Sequence, residues 1–554
     1  MTLERLLKQI LTLICFILLC LGASPYPVTT GDTQEEKAPQ HPSQISPARP
    51  VLRMGLHVSK FNTLDPHKAA STSDRILADM VYNGLIRFKP GNSRQMEPDL
   101  AVEIPEPVMV RGKQTWTFKL KKDIFFQGFP GETSDKLTAL DVCKSFIKAA
   151  DPQRSAYAGG YEGISVVVTG PHTLRFTVDP PQSPLLFLPK VANYAGGFIV
   201  KETVDERGML RLKGTGPFYF INPPDDHHLF LHAHDDYFRG KPLLGGVDIY
   251  FLPDADQRLS AIVDNKMHVI VGETDARWLQ RIKDKKDLRL DSFGVSETVN
   301  IHFNTSSSPF SDIRVRKAVA YAVDRNQFLA PFGPGLVYSV FSPVPPYMPG
   351  GLREQEIKAL GLDYDTNLNR AKQLMDEAGL KHGFNIDVVV SEVGSFSNNY
   401  HTLQAQLSAI NITMTLHLVD HATMHRLIRQ DFNPIVIYEA FRPNTDEFLS
   451  RFFHSSATIS SGKSPATNFS HYKGIDQLIE TARLERFTSR QIKLWEYAQI
   501  KLLEDMVVYP LHHKNQIYVR WDTVDYGHPI ISTMALYPQF TEQTSIQRHR
   551  NSLQ

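Results

Sequence analysis

The sequence predicts an α/β fold, and three stretches carry that reading. Residues 384–419 run strand, helix, strand (Phe384–Val390, Tyr400–Ile410, Thr413–Val419), an alternation that lays helices on a sheet. Residues 115–121 alternate strictly, with Trp116, Phe118 and Leu120 on one face and Thr115, Thr117, Lys119 and Lys121 on the other, as in a strand with one wet side. After Ser311, a capping residue, Ile313, Val315, Ala318, Val319, Ala322 and Val323 recur at the spacing of one helix face.

In chain order, Glu4, Arg5 and Lys8 precede an apolar run from Ile10 to Leu21, which ends in Gly22, Ala23 and Ser24. The run falls short of the roughly 20 residues of a membrane span and fits a secretory signal peptide cleaved near Ala23. Lipid attachment at Cys15 or Cys20 is disfavoured, because Ile14 and Leu19 stand where a small residue is needed. A retained N-terminal anchor is the alternative. Residues 24–50, with six prolines among polar residues, read as a disordered tether. The folded part begins at the strand Val51–Leu56. A helix is expected over Asp74–Asn83 and another from Thr138, its N-cap. A hairpin follows (Gly163–Thr169, turn Gly170-Pro171, Thr173–Val178), then strands Leu229–His234 and Val247–Phe251, a helix Asp256–Lys266 and a strand at 269–271. Thr366 is expected to cap a helix that Gly379 ends in the left-handed region.

At 554 residues the chain is long enough for two to four domains. Its 42% hydrophobic and 21% charged residues are those of a globular protein, and a net charge of +1 gives no reason to expect nucleic acid or an anionic membrane as partner. Cleavage would leave one cysteine, Cys143, and therefore no internal disulfide; on a helix it reads as a small buried residue. Phosphate-loop, dinucleotide, Gly-x-Ser-x-Gly, His-Glu-x-x-His and paired Cys-x-x-Cys patterns are absent from the sequence. A secreted hydrolase is thereby disfavoured, and no catalytic residue, metal or cofactor is expected. The run of residues 227–234 puts His228, His232 and His234 on one strand face; a wet scaffold face is preferred over a metal site, and likewise for His512 and His513.

Taken in order, the segments resemble the extracytoplasmic solute-binding proteins of ATP-driven (ABC) importers, family 5, the class that binds peptides and nickel. The resemblance runs from about Val51 to about His528. It is carried by Thr63-Leu-Asp-Pro-His67, Val81-Tyr-Asn-Gly-Leu85, the strand from Trp116 to Ile124, Leu137-Thr-Ala-Leu-Asp-Val142 and Gly214-Thr-Gly-Pro-Phe-Tyr219. Asp312–Arg325, Ser342–Pro346, Tyr364–Gly379, Asn468–Tyr472 and Pro510–His512 continue it. The resemblance implies a two-lobed periplasmic-binding-protein fold (class II type, cluster C) with an extra inserted domain and the ligand cleft between lobes. Mapped here, lobe one would be 51–90, 212–296 and 506–545, the inserted domain 91–211, lobe two 297–505, and the tail 546–554. The implied protein is a periplasmic monomer that captures a solute, foremost an oligopeptide, and delivers it to membrane permease subunits. A nickel or other anionic chelate, or an oligosaccharide, is the alternative on the same scaffold. A ligand-sensing regulator is disfavoured by the missing helix-turn-helix segment and by the export signal.

In peptide-binding members the ligand pairs with two backbone segments, which correspond here to Ser71-Thr72-Ser73 and Tyr438-Glu439-Ala440. An Asp that holds a peptide's α-amine usually follows the second segment. Phe441 stands there instead, followed by Arg442, which suits a carboxylate or phosphate. Glu439, Asp446 or Glu447 could take the amine if the alignment shifts. Tyr194, Tyr438 and Phe441 could supply stacking surface.

Overall fold

In a computed structural model, residues 49–547 are described apart from 130, 131, 133 and 134. The signal-peptide reading of 1–23, nearly all of the tether and the end of the tail lie outside the described residues.

The largest sheet has nine strands. Its order is Phe218–Tyr219, His228–Ala233, Gly246–Phe251, Val51–Leu56, Val269–Val271, Val508–Trp521, Leu288–Phe303 and Ile435–Ala440, with Val337–Ser339 pairing Val508–Trp521 off that path. Val51–Leu56 is parallel to both its neighbours, and its buried Leu52, Met54 and Leu56 explain why an almost unbroken apolar run suits this position. Leu288–Phe303 and Val508–Trp521, with 16 and 14 residues, are far longer than ordinary strands. They pair antiparallel from Leu288↔Trp521 to His302↔Val508, with irregularities between Phe293 and Glu297 and between Val299 and Asn300. At one end Phe293 and Tyr518 join the core around Leu52 and Val247; at the other, Val299, Ile301, Tyr509 and Leu511 join the core around Val315 and Leu374. The same two strands thus serve two cores.

The β-α-β expectation is met: Phe384–Ser391 and Ile412–Val419 pair in parallel, joined through helix Gly394–Leu407. Strand Lys113–Lys119 lies in a separate four-stranded sheet, between Val108–Val110 and Thr173–Val178. Trp116 and Phe118 face its core as the alternation requires, and Trp116 stacks on Phe187 with centroids 4.7 Å apart.

Two caps fall one residue later than expected. Asp312, rather than Ser311, caps helix Ile313–Ala322, its carboxylate accepting from the Arg314 N–H at 2.8 Å. Asn367, rather than Thr366, caps helix Leu368–Glu377, while Thr366 Oγ1 donates to the Val323 carbonyl. In both places two adjacent residues can cap, and the better acceptor geometry goes to the carboxylate or the amide. Thr138 caps helix Ala139–Ala149 in a reciprocal capping box with Asp141, and Gly379 has φ +74°. Cys143 is buried, its Sγ facing the Val166 carbonyl. The Gly214-Thr-Gly motif has a steric cause: a Cβ at Gly214 would lie 2.1 Å from the Val81 carbonyl oxygen, and one at Gly216 would be 2.5 Å from the Val81 carbonyl carbon.

Asp79, on helix Thr72–Val81, lines a small pocket of about 30 Å³ with Arg87, Tyr237 and Glu542. Its carboxylate accepts from Asn193 Nδ2 (2.9 Å), Tyr537 Oη (3.1 Å) and Gln539 Nε2 (3.3 Å). Burial outweighs these donors and pushes the carboxyl up to about 6. A value raised above that of the unfolded chain means a contribution that is complete below about pH 4 and lost as pH rises through about 6. Asp79→Asn is therefore expected to gain roughly 1–3 kcal/mol relative to the wild type between pH 4 and pH 7. Urea midpoints of the two proteins across that range check it; parallel pH profiles would contradict it.

Candidate functional site

A cavity of about 1560 Å³ opens between two groups of segments. One wall comes from 70–75, 156–162 and 180–196, and the other from 429–484. The two walls approach at the Arg75 guanidinium, 5.6 Å from the centre of the Phe441 ring, and beside the cavity the Ser183 hydroxyl donates to Gln491 Oε1 at 2.5 Å.

The structure brings six of the nine expected residues to this cavity: Thr72, Tyr194, Glu439, Ala440, Phe441 and Arg442. Ser71 is occupied as the N-cap of helix Thr72–Val81, its Oγ accepting from the Asp74 N–H at 3.2 Å, and Ser73 is buried. Thr72 and Ser73 thus open a helix, not a free strand edge. Tyr438 sits behind the wall, against Phe452 and Phe469. Strand Ile435–Ala440 ends the sheet order, so its outer edge has no neighbouring strand among the described residues and reaches the cavity at Glu439 and Ala440.

Arg442 follows that strand, half-buried. Its Nη1 donates to the Phe441 carbonyl (2.9 Å) and its Nη2 to Thr467 Oγ1 (3.2 Å), while the guanidinium lies over the Phe452 ring at 4.7 Å. Its Nε has no partner among the described residues. Burial lowers its pKa from the ordinary value, so the site holds a cation with little water around it. Arg75 donates to Tyr194 Oη (3.0 Å) and to the Ser71 carbonyl (3.3 Å). Arg429 donates to His425 and to Tyr438 Oη (3.3 Å). None of these three guanidiniums forms an ion pair among the described residues. Lys190 donates to Gln182 Oε1 (2.9 Å), and burial pulls its pKa down to about 8.

The acids of the second wall are engaged. Glu439 pairs with Lys514 at 2.5 Å, Asp446 with Arg483 at 3.0 Å, Glu447 with Arg451 at 3.2 Å, and Glu480 faces His454 at 3.3 Å. Glu162, on the other wall, is exposed and forms no ion pair among the described residues. The cavity therefore presents three guanidiniums without a carboxylate partner among the described residues, whereas Glu439, Asp446 and Glu447 are each paired with a lysine or arginine. Arg75 and Lys190 carry no periodic or motif signal, and Arg429 none beyond its one-turn spacing from His425 and His421; Arg75, three residues after Thr72, is the one that could have been reached by extending an expected segment along its helix.

His228 and His232 are half-buried, and His234 is buried with Nδ1 3.1 Å from the Gly216 carbonyl. His512 is buried and its pKa pulled down to about 3; that of His513 is pulled down to about 4. Among the described residues no three His, Cys, Asp or Glu side chains gather as a metal site, and no helix is long and apolar enough to cross a membrane.

Two walls drawn from distant parts of the chain around a large cavity of mixed polar and apolar lining, on a sheet shared by two cores, define a two-lobed fold with a cleft sized for a solute. The family model of bacterial extracellular solute-binding proteins, family 5, matches residues 95–460, and the chain belongs to that family. Its members are receptors rather than enzymes and work outside the cytoplasm with the permeases of ABC importers. Among solved structures, MoaA of A. tumefaciens R10 in complex with mannopinic acid is 33% identical, with a TM-score of 0.73 over 90% of this chain and 100% of that one. Di/tripeptide-binding protein 2 of Pseudomonas aeruginosa (strain UCBPP-PA14) is 25% identical over 79% of this chain and 84% of its own. The dipeptide-binding protein of Escherichia coli (strain K12) is 24% identical over 87% and 90%.

Proposed function

We propose that the solute is a small polar compound bearing a carboxylate, of the opine type, held between two lobes and handed to a permease. The observation that carries this is the set Arg75, Arg429 and Arg442: three guanidiniums at one cavity without a carboxylate partner, while the acids of the second wall are paired. A planar fork of donors in a partly dehydrated site suits a carboxylate, and a ligand that brings one completes the charge balance. The 33%-identical neighbour bound to mannopinic acid supports the same class. Thr72, Tyr194, Glu439, Ala440, Phe441 and Arg442 are the ligand contacts in this reading. Ser71, Ser73 and Tyr438 support them from behind.

A short peptide is the second reading. The unpaired edge of Ile435–Ala440 could take an extended chain as an added strand, and Arg442 its terminal carboxylate. The free amine is the weak point, because Phe441 replaces the usual acid and Asp446 and Glu447 are engaged by Arg483 and Arg451.

In this reading the lobes are 51–90 with 212–296 and 506–545, and 297–505, with 91–211 inserted in the first. Pairing and packing favour a crossing of the second long strand near Lys514, opposite the irregularity at Phe293 and Glu297. Two strands bending at that irregularity would open and close the cleft as a hinge.

Thermal shift on refolded, ligand-free protein tests the reading. Mannopinic acid at a hundredfold excess over its Kd is expected to stabilise by about 2.7 kcal/mol, with di- and tripeptides giving less. Stabilisation by peptides alone would favour the second reading, and peptide amides binding as well as free acids would remove the role given to Arg442.

A further inference from the structure

Behind Arg429 runs a file of polar groups that the cavity itself does not reveal. Arg429 Nη1 is 3.1 Å from His425 Nδ1, His425 Nε2 is 3.1 Å from His421 Nε2, and His421 Nδ1 is 3.0 Å from Ser391 Oγ. The spacing comes from helix His421–Arg429, where residues 421, 425 and 429 stand one turn apart on one face.

The direction of every bond in this file follows from its first member. A guanidinium only donates, so His425 Nδ1 must accept and carries no proton. In a neutral imidazole the proton is then on Nε2, which donates to His421 Nε2. His421 in turn holds its proton on Nδ1 and donates to Ser391 Oγ, which also accepts from the Val393 N–H at 3.2 Å. Each imidazole lone pair is already in use, so the pair can take up a proton only by breaking a link.

We propose that His425, backed by His421 and Ser391, is the positioning residue for Arg429 and holds this guanidinium as a second anion-binding group on the cavity wall. The inference rests on the acid-bearing ligand proposed above. Arg429 is the most exposed of the three unpaired arginines, and an exposed arginine ordinarily samples many rotamers; here a carbonyl (His425 O, 3.1 Å), an imidazole and the Tyr438 hydroxyl (3.3 Å) fix it from three sides. Fixing it before the ligand arrives lowers the ordering cost of binding.

The surroundings favour the neutral form of His425. Phe396 packs on His421 at 4.8 Å and Tyr438 on His425 at 5.9 Å. Lys514, which holds Glu439, lies 6.0 Å from the Phe396 ring. The charged groups facing the pair are thus Arg429 on its own helix and the Lys514–Glu439 pair beyond Phe396. Burial first, then His421 and Arg429, pulls the pKa of His425 down to about 4. Because the folded value is depressed, Arg429 stays anchored from pH 8 to about pH 5 and is released only as the pH falls through about 4.

Two measurements test the proposal. In ligand-free protein labelled with 15N-histidine, NMR is expected to show His425 protonated on Nε2 and His421 on Nδ1, with His425 neutral down to about pH 5. An Nδ1-protonated His425, or titration of the His425 ring near pH 6.5, overturns the relay whatever the ligand. Calorimetry with mannopinic acid then tests the consequence. Arg429→Ala and His425→Leu are each expected to weaken binding by roughly tenfold. Their combination should weaken it no further, because the imidazole acts through the arginine. His425→Gln, whose side-chain oxygen can still accept from Arg429, should retain most of the affinity. Full affinity in His425→Leu, or a loss that adds to that of Arg429→Ala, overturns the positioning role. Should the wild type bind no acid, the acid reading falls and the anion subsite falls with it, while the NMR pattern still decides whether the relay exists.

Discussion

Replacing Arg442 by alanine is expected to weaken an acid-bearing ligand by about 2–5 kcal/mol, or roughly thirtyfold to several thousandfold. The size follows from where the charge sits. Arg442 is half-buried between Phe452 and the end of strand Ile435–Ala440, with Nε unpartnered among the described residues. A carboxylate that has given up its water there needs the guanidinium, and among the described residues no lysine or second arginine shares its place over Phe452. The ligand-free protein should respond differently. Alanine removes a cation held by a carbonyl, by Thr467 Oγ1 and by the face of Phe452, so the change in unfolding free energy should stay within about 2 kcal/mol. Arg442→Lys should fall between wild type and alanine, since an ammonium keeps the charge but loses the planar fork and the stacking on Phe452. Calorimetry together with urea unfolding separates the two effects. An alanine variant that binds normally, or one whose weaker binding matches its loss of stability, would contradict the assignment.

What the sequence shows and what it hides divide along a physical line. Elements set by local periodicity are legible: Trp116, Phe118 and Leu120 on one strand face, the helix ended by Gly379, and the parallel pair at 384–419. Caps are legible to within one residue, because Ser311 and Asp312, or Thr366 and Asn367, are both competent and only the backbone decides between them. The site is legible only where the family resemblance lends an order to segments such as 438–442. Arg75, Lys190 and Arg429 escape because the cavity gathers groups about 350 positions apart in the chain, and no spacing along the chain announces that meeting. The relay behind Arg429 illustrates the point: its helical spacing at 421, 425 and 429 is visible in the sequence, but only the fold shows Ser391 closing one end and the cavity the other.

The other large effect is expected far from any ligand contact. Trp116→Ala should cost about 3–5 kcal/mol of stability, the range for removing a large aromatic from a packed core. Trp116 is 1% exposed, stacks on Phe187, and belongs to the same buried cluster as Phe146, Phe176 and Leu449. That cluster spans the sheet of strand Lys113–Lys119 and the helices of the second wall, so a cavity at Trp116 loosens both. The indole Nε1 has no hydrogen-bond partner among the described residues, which sharpens the test. The side chain contributes through packing alone, and Trp116→Phe should recover the larger part of the loss, although phenylalanine leaves some volume unfilled. The strand lines no part of the cavity, but Leu186, Pro189 and Lys190, within three residues of Phe187, all do. Ligand affinity should consequently fall only a few-fold in Trp116→Ala under conditions where the variant is folded, against the far larger loss at Arg442. Urea unfolding of the three proteins measures the first effect. Phenylalanine as damaging as alanine would show that the indole N–H makes a hydrogen bond after all, and a loss below about 1.5 kcal/mol for alanine would mean that this core collapses to fill the space.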